Sequence, residues 1–95
     1  MFRTLPKCIG ELSSLKELSI GDNQLTTLPV SIGDLSSLKE LVLENNKLTT
    51  LPNSITNLCS LKIIFISNNP LDLQTKSLLK RLKKRGIDVR SIDII

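Results

Sequence analysis

The sequence predicts an α/β solenoid: a short stack of repeated turns whose strands form one parallel sheet, closed at its end by a helical repeat. Three observations predict it. A pattern recurs three times at a spacing of 23 residues, with Leu12, Leu35 and Leu58 in phase, then Leu15, Leu38 and Leu61, then Asn23, Asn46 and Asn69. Within each repeat, apolar residues stand two apart, at Leu18 and Ile20, Leu41 and Leu43, and Ile64 and Ile66, the spacing of one face of a strand. After Leu71 the pattern breaks into a basic segment with Leu78, Leu79 and Leu82 on one face, which reads as an amphipathic helix.

Each element follows from its residues. Residues 1–14 form a partial first turn, residues 15–74 three clear repeats, and residues 75–95 a closing helix and fourth strand within one domain. Pro6, Pro29 and Pro52 break any helix on the return path, so 3₁₀ turns or irregular structure are expected there. The amides of Asn23, Asn46 and Asn69 suit a bend whose backbone groups cannot pair with themselves, and are read as an inward structural ladder. The helix is expected over Lys76 to Arg85, with Gly86 as its C-terminal cap. Ile87 and Val89 stand one period after Ile64 and Ile66, which predicts a fourth strand at 86–90 in that register.

The segments SLKELSIGDNQL (14–25), SLKELVLENNKL (37–48) and SLKIIFISNNPL (60–71) fit L-x-x-L-x-L-x-x-N-x-L, and the arms LPKCI, LPVSI and LPNSI share Leu-Pro-x-x-Ile. Over residues 2–74 the chain resembles the leucine-rich repeat family. Its arms resemble the 23-residue subclass found in bacterial and Ras-pathway scaffold members. The resemblance implies a short horseshoe with a concave parallel sheet and a role in non-catalytic protein recognition. Bacterial relatives of this type include adhesion and host-interaction proteins.

Composition narrows the function classes. The 95 residues include 19 Leu and 11 Ile but no Ala, Trp, Tyr or His. Without histidine the commonest general base, metal ligand and pH switch is missing. There is no metal-ligand spacing such as C-x₂-C and no Gly-rich phosphate loop, so neither enzymatic activity nor a cofactor is expected. No run of about 18 apolar residues predicts a membrane-crossing helix. The first residues also lack the apolar run of a secretory leader, which makes the cytoplasm the default expectation, secretion by another route aside. Cys8 and Cys59 stand about two repeats apart, roughly 10 Å across the strand stack, beyond disulfide reach; both are expected as free thiols.

Charge is uneven. Residues 1–75 carry six Lys or Arg against seven Asp or Glu, whereas residues 76–95 carry seven basic groups against Asp88 and Asp93. A basic amphipathic helix suits nucleic acid or an acidic surface, and an anion-binding module built on it is the alternative function. Its leucines are needed to close the core and it lacks aromatics to stack bases, so nucleic acid is disfavoured.

The outward residues between the inward leucines define the candidate site. On the sheet face these are Glu17 and Ser19, then Glu40, Val42 and Glu44, then Ile63, Phe65 and Ser67. Stepping on by one period, Gly86 would follow Ile63, Asp88 would follow Phe65, Arg90 would follow Ser67, and Ser91 would follow Asn68. Val42, Ile63 and Phe65 are expected as exposed neighbours, an apolar patch of the kind that marks an interaction site. Lys16, Lys39 and Lys62 form a separate charged column. Because the first turn has no preceding turn in the sequence, weak self-association is expected around Phe2, Leu5, Leu12 and Leu18.

Overall fold

A computed structural model describes residues 4–91; Phe2 lies outside the described residues. Three 3₁₀ turns, Lys7–Glu11, Val30–Asp34 and Asn53–Asn57, alternate with three-residue strands β1 (Glu17–Ser19), β2 (Glu40–Val42) and β3 (Ile63–Phe65). Helix α1 (Leu73–Lys84) takes the place of a fourth 3₁₀ turn, and β4 (Asp88–Arg90) follows it. The strands form one parallel sheet in the order β1-β2-β3-β4. The sheet makes one side of the stack, the helical limbs make the other, and the leucines fill the space between. No described helix is long and apolar enough to cross a membrane.

The prolines start the limbs. Pro6, Pro29 and Pro52 hold φ at −70°, −69° and −68°, with extended ψ, immediately before each 3₁₀ turn. Their carbonyls accept the amides of Ile9, Ile32 and Ile55 at 3.0–3.1 Å, which closes each turn. That aims Ile32 and Ile55 inward, where both are fully buried. They meet Leu35, Leu38, Leu41, Leu43, Leu48, Ile64 and Ile66, all equally sealed from water. Each such side chain contributes about 1.5–3 kcal/mol relative to exposure.

Neighbouring limbs approach closely, and glycine permits it. A Cβ on Gly33 would collide with the Ser54 carbonyl oxygen, and one on Gly10 would lie 2.6 Å from that of Ser31. At the same phase the third repeat carries Thr56, whose neighbouring limb is α1 rather than another 3₁₀ turn. There the Thr56 carbonyl accepts a hydrogen bond from Arg85 Nη1 at 2.9 Å.

The asparagine ladder faces inward as expected and joins consecutive turns. Asn46 Nδ2 donates to the Leu43 carbonyl of its own turn and the Ile20 carbonyl of the preceding one, each at 3.0 Å. Its Oδ1 accepts the Leu25 amide at 3.1 Å. Asn69 repeats the arrangement with Ile66, Leu43 and Leu48. Outside this ladder runs another, in which Asp22, Asn45 and Asn68 hold left-handed φ of 58°, 60° and 60°. Asp and Asn adopt that conformation more readily than other side-chain-bearing residues. Asn45 Nδ2 donates to Asp22 Oδ1 at 2.7 Å, and Asn68 Nδ2 donates to Asn45 Oδ1 at 2.6 Å.

The closing repeat differs from the sequence-based expectation in three respects. The helix starts at Leu73 rather than Lys76, because Asp72 caps it by accepting the Thr75 amide at 2.8 Å. The fourth strand is confined to Asp88–Arg90 rather than 86–90. Its register is shifted by two: Val89, not Ile87, pairs with Ile64, and Asp88 and Arg90 pair with Ile63 and Phe65. An α-helix rises 1.5 Å per residue against about 2.0 Å for a 3₁₀ helix, so the longer α-helical limb uses more residues on its return path. A two-residue shift preserves which side chains face in and which face out. Ser91, moved from the phase of Asn68 to that of the inward Ile66, is buried rather than standing on the outer face.

Gly86 ends the helix as expected. At φ +96° it lets its own amide bond to the Lys83 carbonyl at 3.0 Å and the Ile87 amide to the Leu82 carbonyl at 3.2 Å. This paired closure satisfies two helix-end carbonyls and turns Ile87 into the core.

Two outcomes follow from the ladder and the register. Asn46→Ala takes the partner of the buried Leu25 amide and one of two donors from each of the Ile20 and Leu43 carbonyls, and is expected to cost about 2 kcal/mol in urea unfolding. Glu17 and Glu40 stand directly opposite on neighbouring strands. Glu40→Gln is therefore expected to stabilise the fold by about 0.2–1 kcal/mol at low salt, with the gain fading as salt is raised.

Candidate protein-binding face

Strand alternation places Leu18, Leu41, Ile64 and Val89 on the inner side of the sheet and their neighbours on the outer side. In-register pairing then builds two files across that outer side: Glu17, Glu40, Ile63 and Asp88, and beside them Ser19, Val42, Phe65 and Arg90. Glu44 and Ser67 continue past the strand ends. Their carbonyls accept the amides of Asp22 and Asn45, at 2.9 and 3.0 Å. All eight residues expected on this face are thus brought onto one surface.

Val42, Ile63 and Phe65 are adjacent there, since Val42 pairs with Phe65 and Ile63 is two residues away along the same strand. They are half-buried, not fully exposed as the alternation alone suggested, because neighbouring side chains on the file cover part of each. Glu40, Glu44 and Ser67 are half-buried as well, while Glu17 and Ser19 at the β1 edge are exposed.

The far border of the patch differs from the one the 23-residue period predicts. Instead of Gly86 and Asp88, the residues beside Ile63 and Phe65 are Asp88 and Arg90, joined by an ion pair at 2.9 Å. The pattern Asp72-x-x-Thr75 carried the signal for this, because a capped helix starting at Leu73 implies a longer limb and a shifted strand.

Carboxylates stand on the outer side of β1 and β2 and just beyond them, at Glu17, Glu40 and Glu44. Among the described residues the one ion pair is Arg90–Asp88, so Glu17, Glu40 and Glu44 have no cationic partner there. Lys16, Lys39 and Lys62 precede the strands as an exposed file on the rim of the sheet. Consecutive members are joined through the backbone, Lys39 amide to Lys16 carbonyl and Lys62 amide to Lys39 carbonyl.

The basic helix presents a different surface. Leu78, Leu79 and Leu82 are buried against the stack, so the helix spends its apolar face on the core. Lys80, Arg81, Lys83, Lys84 and Arg85 are exposed. At the other end of the stack Leu12 is 49% exposed, and Leu5 and Leu18 are half-buried. Cys8 and Cys59 are free and exposed. Among the described residues no group of His, Cys, Asp and Glu is arranged to hold a metal ion.

The repeat is found in known proteins. A family model described as leucine rich repeat matches residues 13–71. Among solved structures, 28 chains match. One, a leucine-rich repeat protein of Leptospira interrogans, superposes with a TM-score of 0.84 at 37% identity over 90% of this chain. The match covers 22% of the Leptospira chain, so this chain spans about a fifth of that protein's length. No curated protein matches. With the repeat pattern, the parallel sheet and a family model spanning more than half of its residues in agreement, the chain belongs to the leucine-rich repeat family.

Proposed function

We propose that this protein is a non-catalytic recognition module that binds a protein partner through the outer face of its sheet. Leucine-rich repeat folds are commonly used for protein–protein interaction. The observation that carries the residue-level reading is the contiguous Val42–Ile63–Phe65 patch, held at fixed spacing by the β2–β3 register. A rigid sheet presents such a patch without the ordering cost that a flexible loop would incur on binding. The site comprises Glu17, Ser19, Glu40, Val42, Glu44, Ile63, Phe65 and Ser67. An open face with no enclosing wall suits recognition better than chemistry, which benefits from a water-excluding pocket.

The Leu-Pro-x-x-Ile arms support placement in the 23-residue subclass, since each proline initiates a 3₁₀ limb of the same form. A bacterial origin and an adhesion or host-interaction role are part of the proposal. They rest on that resemblance and on the Leptospira neighbour.

Affinity capture with the folded chain tests the reading. The wild-type protein is expected to retain a partner that Ile63→Glu/Phe65→Glu does not. Phe65→Ala is expected to weaken binding about tenfold with an unchanged circular dichroism spectrum, the side chain being already partly covered. Lys80→Gln/Lys83→Gln/Lys84→Gln is expected to leave capture intact. Loss of binding in this triple variant alone would move the site to α1.

A further inference from the structure

We propose that the sheet face recognises a basic segment: a stretch of polypeptide with an apolar side chain for the Val42–Ile63–Phe65 patch and one or two lysines or arginines beside it. This rests on the sheet face being the recognition surface and adds the chemistry of what that surface takes.

The charge around the patch carries the inference. Glu40 pairs with Glu17 on one side and with Ile63 on the other, so a carboxylate pair directly adjoins the apolar residues. Glu44 lies two residues beyond Val42, where its carbonyl accepts the Asp22 amide. None of the three has an ion-pair partner among the described residues, and Arg90, the cation on these strands, is already held by Asp88. The rim lysines precede the strands, and none of them forms an ion pair with these carboxylates.

Three kinds of partner meet this arrangement differently. An acidic or phosphorylated segment would bring like charge against Glu17, Glu40 and Glu44. A wholly apolar segment covering the patch would strip water from Glu40 and Glu44, which are already half-buried, and return nothing for it. A cationic side chain placed between Glu17 and Glu40 compensates that desolvation and relieves the repulsion between them. Arginine suits the position well, since its planar fork can meet two carboxylates at once and is less strongly hydrated than an ammonium group.

Selection from a random peptide display library on the immobilised full chain tests the proposal. Enriched peptides are expected to combine Lys or Arg with a large apolar residue, and to bind more weakly at high salt. Phe65→Ala should abolish their enrichment, with Ile63→Ser as a second variant should the first disturb the fold. Glu17→Gln/Glu40→Gln should remove the basic bias and lower the affinity of the leading peptide up to about tenfold. Neutral or acidic peptides that still depend on Phe65 would overturn the basic-partner inference while leaving sheet-face recognition standing. No enrichment, or enrichment indifferent to Phe65→Ala and Ile63→Ser, would overturn both. Acidic peptides lost in Lys80→Gln/Lys83→Gln/Lys84→Gln would do the same and transfer recognition to α1.

Discussion

The buried side-chain amides of Asn46 and Asn69 tie each turn of the stack to the one before it. A chain that leaves a three-residue strand and turns at once toward the far side of a solenoid has backbone groups with no ladder to join. Each amide meets that need in two turns at once, bonding carbonyls of its own bend and of the preceding one, and accepting an amide from the start of the preceding return limb. The bends therefore stack at a fixed distance. Strand pairing, limb spacing and the columns of the outer face all inherit that distance. Among the described residues no buried side-chain nitrogen or oxygen lacks a partner, as a core this thin requires.

A fixed stacking distance makes the outer face a lattice rather than a collection of residues. What stands at one strand position is brought beside its counterpart on the next, whether or not the two attract. Leu41 against Ile64 is a favourable outcome of that rule on the inner side. Glu17 against Glu40 is an unfavourable one outside. The same rule joins Val42 to Phe65, so the apolar patch and the repelling carboxylates come from one constraint. Function on such a face depends on the outward side chains, because the repeated leucines are committed to the core.

The end of the stack shows how a regular array stops. Replacing a 3₁₀ limb by α1 buries Leu78, Leu79 and Leu82 over the last turn and turns a basic face to solvent. The change is felt one limb earlier, where Thr56 stands at the phase of Gly10 and Gly33. Glycine is needed where the next limb's backbone comes within collision distance of a Cβ, and Thr56 lies before the one interface of a different kind. The limb also takes up two more residues, so β4 enters the sheet with Asp88 and Arg90 beside the patch.

The solenoid, the inward leucines, the structural asparagines, the proline-initiated limbs and the glycine stop of the helix were all legible in the residues alone. All of these are local patterns repeated at a fixed interval, and a periodic chain needs no knowledge of its neighbours beyond that interval. Which residues of β1, β2 and β3 face outward was legible too, since alternation within a strand is a property of the strand alone. Tertiary structure decided the register of β4, because that register depends on how far α1 carries the chain per residue and where Asp72 lets it begin. It decided, too, that Val42, Ile63 and Phe65 are half-covered rather than bare. Exposure is set by the side chains of adjoining turns, and only assembly of the stack brings those side chains together.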